Sequence, residues 1–191
     1  NASGKSSLLE AVAMLATLRS PAASSDRQLI NWRSGEELGF PAYARAVGLI
    51  ERQNGSVEIE LAISVDPTTN QLKKSIKVNG RSVRVLDAVG TLNVVPFTPE
   101  DVALTSGSPS LRRRYLDLVI SQMSQRYLKA LSQYQRVLEQ RNSLLRQLAR
   151  EPSVPISVVV NRLEFWDQEL IAHGSRIIAE RMKTAWLLSD R

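Results

Sequence analysis

The sequence predicts a mixed α/β fold, on three observations. A "GKSSLLEAV" stretch near the start reads as a glycine-containing loop running straight into a helix. Between residues 43 and 85 apolar and polar residues alternate with period two, and beyond about residue 126 leucines recur seven apart. At 191 residues and 43% hydrophobic the chain can bury a core, and it divides into two expected domains. Residues 1–107 carry the loop, the first helix and a β meander. Residues 108–191 carry helices ending in a coiled-coil-like arm.

Each element has its own signal. Lys5 to Leu18 reads as a helix, since Leu8, Leu9, Val12, Leu15 and Ala16 form one apolar stripe, and it ends before Pro21. A small, polar stretch from Pro21 and the segment "GEELGFP" make a surface loop. "YARAVGLIE" and "SVEIELAISV" follow as alternating strands, with Asn54-Gly55 between them as a two-residue hairpin turn. "KKSIKVNGRSVRVL" repeats the arrangement, Asn79-Gly80 separating Ile76–Val78 from Val83–Val85. About four antiparallel strands result. The apolar run "TLNVVPF" is expected to be a buried strand, with Pro96 near its end.

Two helix starts come next. In "TPED", Thr98 is placed to cap, Pro99 suits the first position, and Glu100 and Asp101 complement the helix dipole. After Gly107, Ser108-Pro109 opens a helix expected to turn Leu111, Tyr115, Leu118 and Val119 inward. Arg112, Arg113 and Arg114 surround that face as phosphate contacts or as a solvated surface holding Asp117 at i,i+3 or i,i+4. From Arg126 on, Leu131, Leu138 and Leu145 with Tyr134 and Leu148 form one seam. Leu163, Leu170 and Ile177 with Trp166, His173 and Leu187 form a second, broken by Glu180. Pro152 and Pro155 lie between the two runs, so an antiparallel helical hairpin is expected. Two ordinary amphipathic helices packed on a globular body are the alternative.

Charge is regional. The formal net charge is +6, and residues 111–150 hold nine Lys or Arg against Asp117 and Glu139, leaving the remainder close to neutral. Such a face suits a polyanion, of which a phosphate backbone is the commonest, or else a solvated helix surface. Arg112, Arg113, Arg114, Arg126 and Lys129 are the candidate DNA contacts. Cysteine is absent, which excludes disulfides and zinc-thiolate sites. With no run of eighteen apolar residues, no membrane partner is expected and a cytoplasmic location is the default.

"NASGKSS" carries the sharpest chemistry. Gly4-Lys5-Ser6 supplies the last three letters of a P-loop, G-x-x-x-x-G-K-[ST], whose first glycine would lie two residues before Asn1. Glycine lets backbone N–H groups approach phosphate oxygens, Lys5 brings positive charge to the β- and γ-phosphates, and Ser6 offers a hydroxyl to Mg2+. A simple glycine turn before a helix would use the same letters. Asn1 is not a start methionine, so the residues before it are expected to be missing from the sequence.

"NASGKSSLLEAV", then "LRS", then "NVVPFTPEDVALTSGSPSLRRRYLD" and "YLKALSQYQRVLEQRNSLLR" together resemble, in that order and spacing, the RecF family of bacterial recombination mediators. The resemblance spans nearly the whole chain. It implies an ABC-type ATPase head lobe, similar to those of chromosome-maintenance and double-strand-break-repair proteins. It further implies ATP and Mg2+ as cofactors, head-to-head dimerisation, and binding of double-stranded, gapped or junction DNA. Recombinase loading with partner mediators in DNA replication, recombination, repair and the SOS response follows from the same likeness.

By that resemblance Asn1, Ala2, Ser3, Gly4, Lys5, Ser6 and Ser7 fall on the nucleotide site, with Ser6 at the magnesium. Arg19 matches an arginine that related heads place near nucleotide or DNA, or else it serves the helix end. Ala2 departs from a glycine common in the family. The signature loop, roughly "LSxGQ", and the acidic Walker B pair are expected beyond Arg191; Asp190 does not replace them, and ATP hydrolysis by this piece alone is not expected. His173, the one histidine, is expected to pack in its seam, as are Phe165 and Trp166, while Glu100 and Asp101 either cap a helix or face the magnesium. The competing readings are a non-catalytic DNA-binding or coiled-coil module and a small-molecule P-loop kinase.

Overall fold

A computed structural model describes residues 4–20, 23, 25–34, 39–96, 99–150 and 154–189, the side chains of 99 and 100 excepted. Asn1, Ala2, Ser3, Pro21, Thr98, Pro152 and Asp190 lie outside the described residues, as do residues 35–38 and 97. The chain forms two compact units that divide between Asp101 and Val102.

In the first unit, Gly4 adopts a left-handed conformation, φ 72°, and hands over to helix α1, Lys5–Thr17. The helix closes at Leu18, also left-handed at φ 56°, whose N–H donates to the Met14 carbonyl at 2.7 Å. A left-handed leucine costs about 1–2 kcal/mol. Leu18 is 1% exposed, and burying such a side chain contributes about 1.5–3 kcal/mol in the other direction.

The apolar stripe of α1 is only half used. Ala13, Met14, Leu15 and Ala16 are buried, whereas Leu8, Leu9 and Val12 are exposed, contrary to the sequence expectation. The physical reason is where α1 meets the sheet. A Cβ added at Gly48 would lie 2.8 Å from Leu15 Cδ1, so the C-terminal half of the helix rests on the sheet. In the earlier turns Ser7, Glu10 and Ala11 are the residues toward it, which leaves Leu8, Leu9 and Val12 on the outer side.

That sheet is a four-stranded antiparallel meander in the order β1-β2-β3-β4, with β1 Tyr43–Arg52, β2 Gly55–Val65, β3 Leu72–Val78 and β4 Arg81–Ser82. Ile59, Leu61, Ile63 and Ile76 form its buried face. On the other face the register sets Glu60 opposite both Val47 and Lys77, and Glu60 accepts from Arg45 at 2.9 Å with Lys77 3.4 Å away. The Arg45 hydrogen bond holds the Glu60 carboxyl below its ordinary range.

The turns follow their sequences with one displacement. Asn79 and Gly80, φ 50° and 73°, form the expected two-residue turn between the paired Val78 and Arg81. At the first hairpin Arg52 pairs with Gly55, so the loop is Gln53-Asn54 and Gly55, φ 119°, already belongs to β2. Between β2 and β3, Asp66 Oδ1 accepts from the N–H groups of Thr68 and Thr69, and Lys73 pairs with Oδ2 at 2.6 Å. These bonds hold the Asp66 carboxyl well below the usual carboxylate range, the Lys73 contribution being the largest.

Two expected strand segments are absent among the described residues. Val83–Val85 is no strand, because β4 stops at Ser82 and the chain turns into the short helix α2, Val85–Ala88. "TLNVVPF" forms no strand over 91–96, where Val95 is 67% exposed. The chain leaves the sheet at the two-residue β4 through α2, and the run pairs with neither edge of the sheet among the described residues.

The second unit is helical. A 3-10 turn at Pro99–Val102 precedes α3, Ala103–Ser106. Arg112 donates from Nη1 to the Leu104 and Gly107 carbonyls at 3.1 and 3.0 Å, binding α3 to the next helix. Helix α4, Pro109–Met123, begins with the expected proline, and Ser124 separates it from α5, Gln125–Leu148, by accepting from the Tyr127 N–H at 3.2 Å. After Pro155 comes α6, Ile156–Ser189.

Helices α5 and α6 form the expected antiparallel hairpin. Arg141 Nε pairs with Asp167 at 2.5 Å, Gly174 lies where a Cβ would come 3.2 Å from the Tyr134 ring, and Arg181 reaches Tyr127 at 3.2 Å. Seven residues back along α5 match seven forward along α6. The α5 seam, however, runs through Tyr127, Ala130, Tyr134, Val137, Arg141, Leu144 and Leu148, with Tyr127, Ala130, Val137 and Leu148 buried. Leu131, Leu138 and Leu145 are half-buried on its flank rather than at its centre.

In α6 Leu163 and Ile177 are buried as expected, but Leu187 is 52% exposed, and Arg181 rather than Glu180 turns inward. The inward face of α4 is also displaced from the expected set. Ile120 is buried with Tyr127, Ala130 and Ile177, Leu116 packs on them, and Leu111 is exposed.

Candidate functional site

The first intrahelical bond of α1 runs from the Leu8 N–H to the Gly4 carbonyl at 2.9 Å, so the N–H groups of Lys5, Ser6 and Ser7 have no helical acceptor. All three residues are exposed, as is Gly4. The loop therefore presents three backbone donors, an ammonium and two hydroxyls at the positive end of a 13-residue helix, which suits a phosphate group. Gly4 meets nothing within 4 Å where a Cβ would sit, so its requirement is conformational: φ 72° disfavours any other residue. Asn1, Ala2 and Ser3, expected in the same loop, lie outside the described residues.

Magnesium is a partial fit. The Ser6 hydroxyl is one donor, and no group of three His, Asp or Glu side chains able to hold a metal occurs among the described residues. Asp101 is half-buried, and the Glu100 side chain lies outside the described residues. Arg19 is exposed just past the C-terminal end of α1, about 20 Å along the helix from Lys5 at 1.5 Å per residue. Between α1 and the sheet, Glu10, Ala11, Met14, Ala46, Leu61 and Ile63 line a cavity of about 160 Å³; its Glu10 is engaged by the Ser20 hydroxyl.

Arg112, Arg113, Arg114, Arg126 and Lys129 are all exposed. Arg112 spends one nitrogen on the α3 carbonyls, while the other four make no ion pair among the described residues. Their expected partner is elsewhere. Asp117 takes two bonds from Arg181, at 2.8 and 2.7 Å, and one from the Tyr127 hydroxyl. Burial, reinforced by Asp117, pushes the Tyr127 phenol up, and the Asp117 hydrogen bond raises Arg181.

This three-helix polar cluster is structural, and sequence reasoning missed it because its members are 10 to 64 residues apart. His173 sits beside the seam, next to Gly174, with Nε2 3.4 Å from Glu169 and a buried Nδ1 without a hydrogen-bond partner. Phe165 is exposed and stacks edge-on against half-buried Trp166 at 5.2 Å. No described helix is long and apolar enough to cross a membrane.

No family model matches the chain. Curated proteins do. It is 42% identical over 96% of its length to the DNA replication and repair protein RecF of Thermomicrobium roseum, covering 46% of that protein. It is 43% identical over its whole length to the RecF of Chloroflexus aurantiacus, covering 50%, and 37% identical to that of Bacillus mycoides, covering 46%. Among solved structures it matches the recombination mediator protein RecF-ATPrS in the RecFOR pathway, at TM-score 0.80 and 33% identity over 97% of this chain and 46% of that one. A RecF-ATP structure matches over the same shares at TM-score 0.76 and 33% identity.

The fold thus defines a mixed α/β lobe of an ABC-type ATPase head bearing a helical hairpin. The chain spans about half the length of the curated relatives it matches. Within that span, it belongs to the RecF family of DNA replication and repair proteins.

Proposed function

We propose that this chain is the nucleotide-binding part of an ATP-dependent, DNA-binding recombination mediator. Its role is in DNA replication, gap repair and the SOS response, through ATP-dependent dimerisation on DNA and help in recombinase loading. The observation that carries the reading is the pairing of an exposed Gly4-Lys5-Ser6 at a free helix N-terminus with 33% identity to a RecF-ATP structure across 97% of the chain.

Gly4 and the N–H groups of Lys5, Ser6 and Ser7 hold phosphate oxygens, Lys5 neutralises charge at the β- and γ-phosphates, and Ser6 gives Mg2+ one ligand. Bound Mg2+ supplies further charge neutralisation across the phosphates. Asn1, Ala2 and Ser3 complete the loop in this reading. Arg19, at the far end of α1, acts away from the phosphates that Lys5 holds. Arg113, Arg114, Arg126 and Lys129 meet DNA, with Arg112 shared between DNA and α3.

The test is ATP binding by isothermal calorimetry on the full chain with its loop intact. Lys5 is exposed, so Lys5→Ala leaves folding unchanged and is expected to weaken ATP binding by at least tenfold. Unchanged affinity would refute the nucleotide reading.

A further inference from the structure

The helical hairpin has two unlike sides. On one, α4 covers the seam: Leu116 and Ile120 pack with Tyr127, Leu131 and Ile177, and Asp117 holds Arg181. The other side is set by helix geometry. In an antiparallel pair of right-handed helices, the residues immediately preceding the leading seam position of each heptad lie on one common side. In α5 these are Arg126, Gln133, Gln140 and Gln147, with Lys129 and Arg136 next to them one row further out. In α6, whose leading seam positions are Asp167, Gly174 and Arg181, they are Trp166, His173, Glu180 and Leu187, with Arg162, Glu169, Arg176 and Lys183 one row further out. The seven-residue register sets Lys183 level with Arg126 and Arg162 level with Gln147, across the row of Trp166, His173, Glu180 and Leu187.

Six cations therefore share this side, all exposed and none with an ion-pair partner among the described residues. Its carboxylates in these rows are Glu169, 3.4 Å from His173 Nε2, and exposed Glu180, against six cations. The large apolar residues in the rows named, half-buried Trp166 and exposed Leu187, are three heptads apart and form no contiguous apolar anchor of the kind a protein interface uses. Glutamines between the cations add neutral donors suited to phosphate oxygens. From Arg126 to Gln147 it runs about 32 Å along α5, close to the rise of nine or ten base pairs of duplex DNA.

We infer that the side of the α5–α6 hairpin opposite α4 is a backbone-reading track for double-stranded DNA, formed jointly by Arg126, Lys129, Arg136, Arg162, Arg176 and Lys183. The inference rests on the DNA-binding reading above and extends it to a surface of both helices. The track positions without specifying, because it offers charge and hydrogen bonds to phosphates and no group shaped to read a base edge.

The experiment uses the full chain and a 30-base-pair duplex of arbitrary sequence, with affinity measured from 50 to 300 mM salt, with and without ATP. Arg126→Gln/Lys129→Gln/Arg136→Gln and, separately, Arg162→Gln/Arg176→Gln/Lys183→Gln are each expected to reduce the slope of log affinity against log salt by about 2–3, since each phosphate contact contributes about 0.9. Arg33→Gln/Arg81→Gln removes two exposed charges from the sheet unit and is expected to leave the slope within about 0.5 of wild type. Thermal melting and ATP affinity stay unchanged in every variant, which separates this result from failure of the nucleotide site. Duplex binding with an unaltered slope in both triple variants overturns the track, whatever other partner the face serves, and so does a wild-type chain that binds no duplex under any of these conditions.

Discussion

The β meander and the helical hairpin are both made by a chain doubling back on itself, but their registers are set over different distances. In the meander, Asn79 and Gly80 take the two positive φ angles that fix Val78 opposite Arg81. In the hairpin, register comes from Arg141–Asp167, Tyr134–Gly174 and the Asp117–Tyr127–Arg181 cluster, whose partners are up to 64 residues apart. Local chemistry determines the first alignment, and only the assembled helices reveal the second.

The largest expected effect breaks the long-range case. Asp117→Ala leaves Arg181, only 21% exposed in its side chain, without its carboxylate, which is expected to cost about 3 kcal/mol in urea unfolding followed by circular dichroism. Adding Arg181→Met should recover most of the loss, since an apolar residue there leaves no unpaired charge. A single variant no worse than wild type would show that the seam, and not the cluster, sets the register.

A smaller effect breaks the local case. Gly80→Ala places a Cβ in a left-handed conformation with open space around it, so the expected loss is about 1 kcal/mol, from backbone strain alone. Thermal melting of the sheet signal checks it. An equal loss at an exposed α5 position would erase the contrast between the two registers.

The smallest effect is with pH. Glu60 and Asp66 both have carboxyls held below their unfolded values. A depressed carboxyl contributes stability that is complete above its unfolded pKa, about 4, and is lost as pH falls toward the folded value. The sheet unit is expected to lose melting temperature between pH 5 and pH 2, and Asp66→Asn to flatten that decline. A wild-type curve identical to that of the variant would remove Asp66 as a contributor.

Much of this architecture was legible in the sequence. The alternation gave the strands, Asn79-Gly80 gave a turn, Pro109 marked a helix start, and the heptads announced an antiparallel hairpin. What was misread has a common cause. Leu131, Leu138 and Leu145 look like a seam because leucine is the most apolar repeat available, yet the true centre passes through Tyr127, Ala130 and Val137, one residue away. Size and position decided that, through Gly174 and Tyr134, and neither is visible in one helix taken alone. "TLNVVPF" has the composition of a strand, yet over 91–96 it joins neither edge of the sheet, and composition alone does not show whether a run will pair. At the start of α1, the exposed Gly4-Lys5-Ser6 and its free N–H groups were legible, because that placement depends on adjacent residues.

Gly48 has a consequence well beyond the sheet. It lies beneath α1, with Leu15 resting on a backbone that carries no side chain, and Leu15 is about 15 Å along the helix from Lys5. The helix is in effect a lever bearing on Gly48, and its far arm, with a cavity of about 160 Å³ between it and the sheet, ends in Gly4-Lys5-Ser6. A methyl group introduced at Gly48, among residues with no chemistry of their own, is expected to push on Leu15, tilt that arm and move Lys5 and Ser6 together. A packing substitution in the middle of β1 would then register as a change in the aim of the loop.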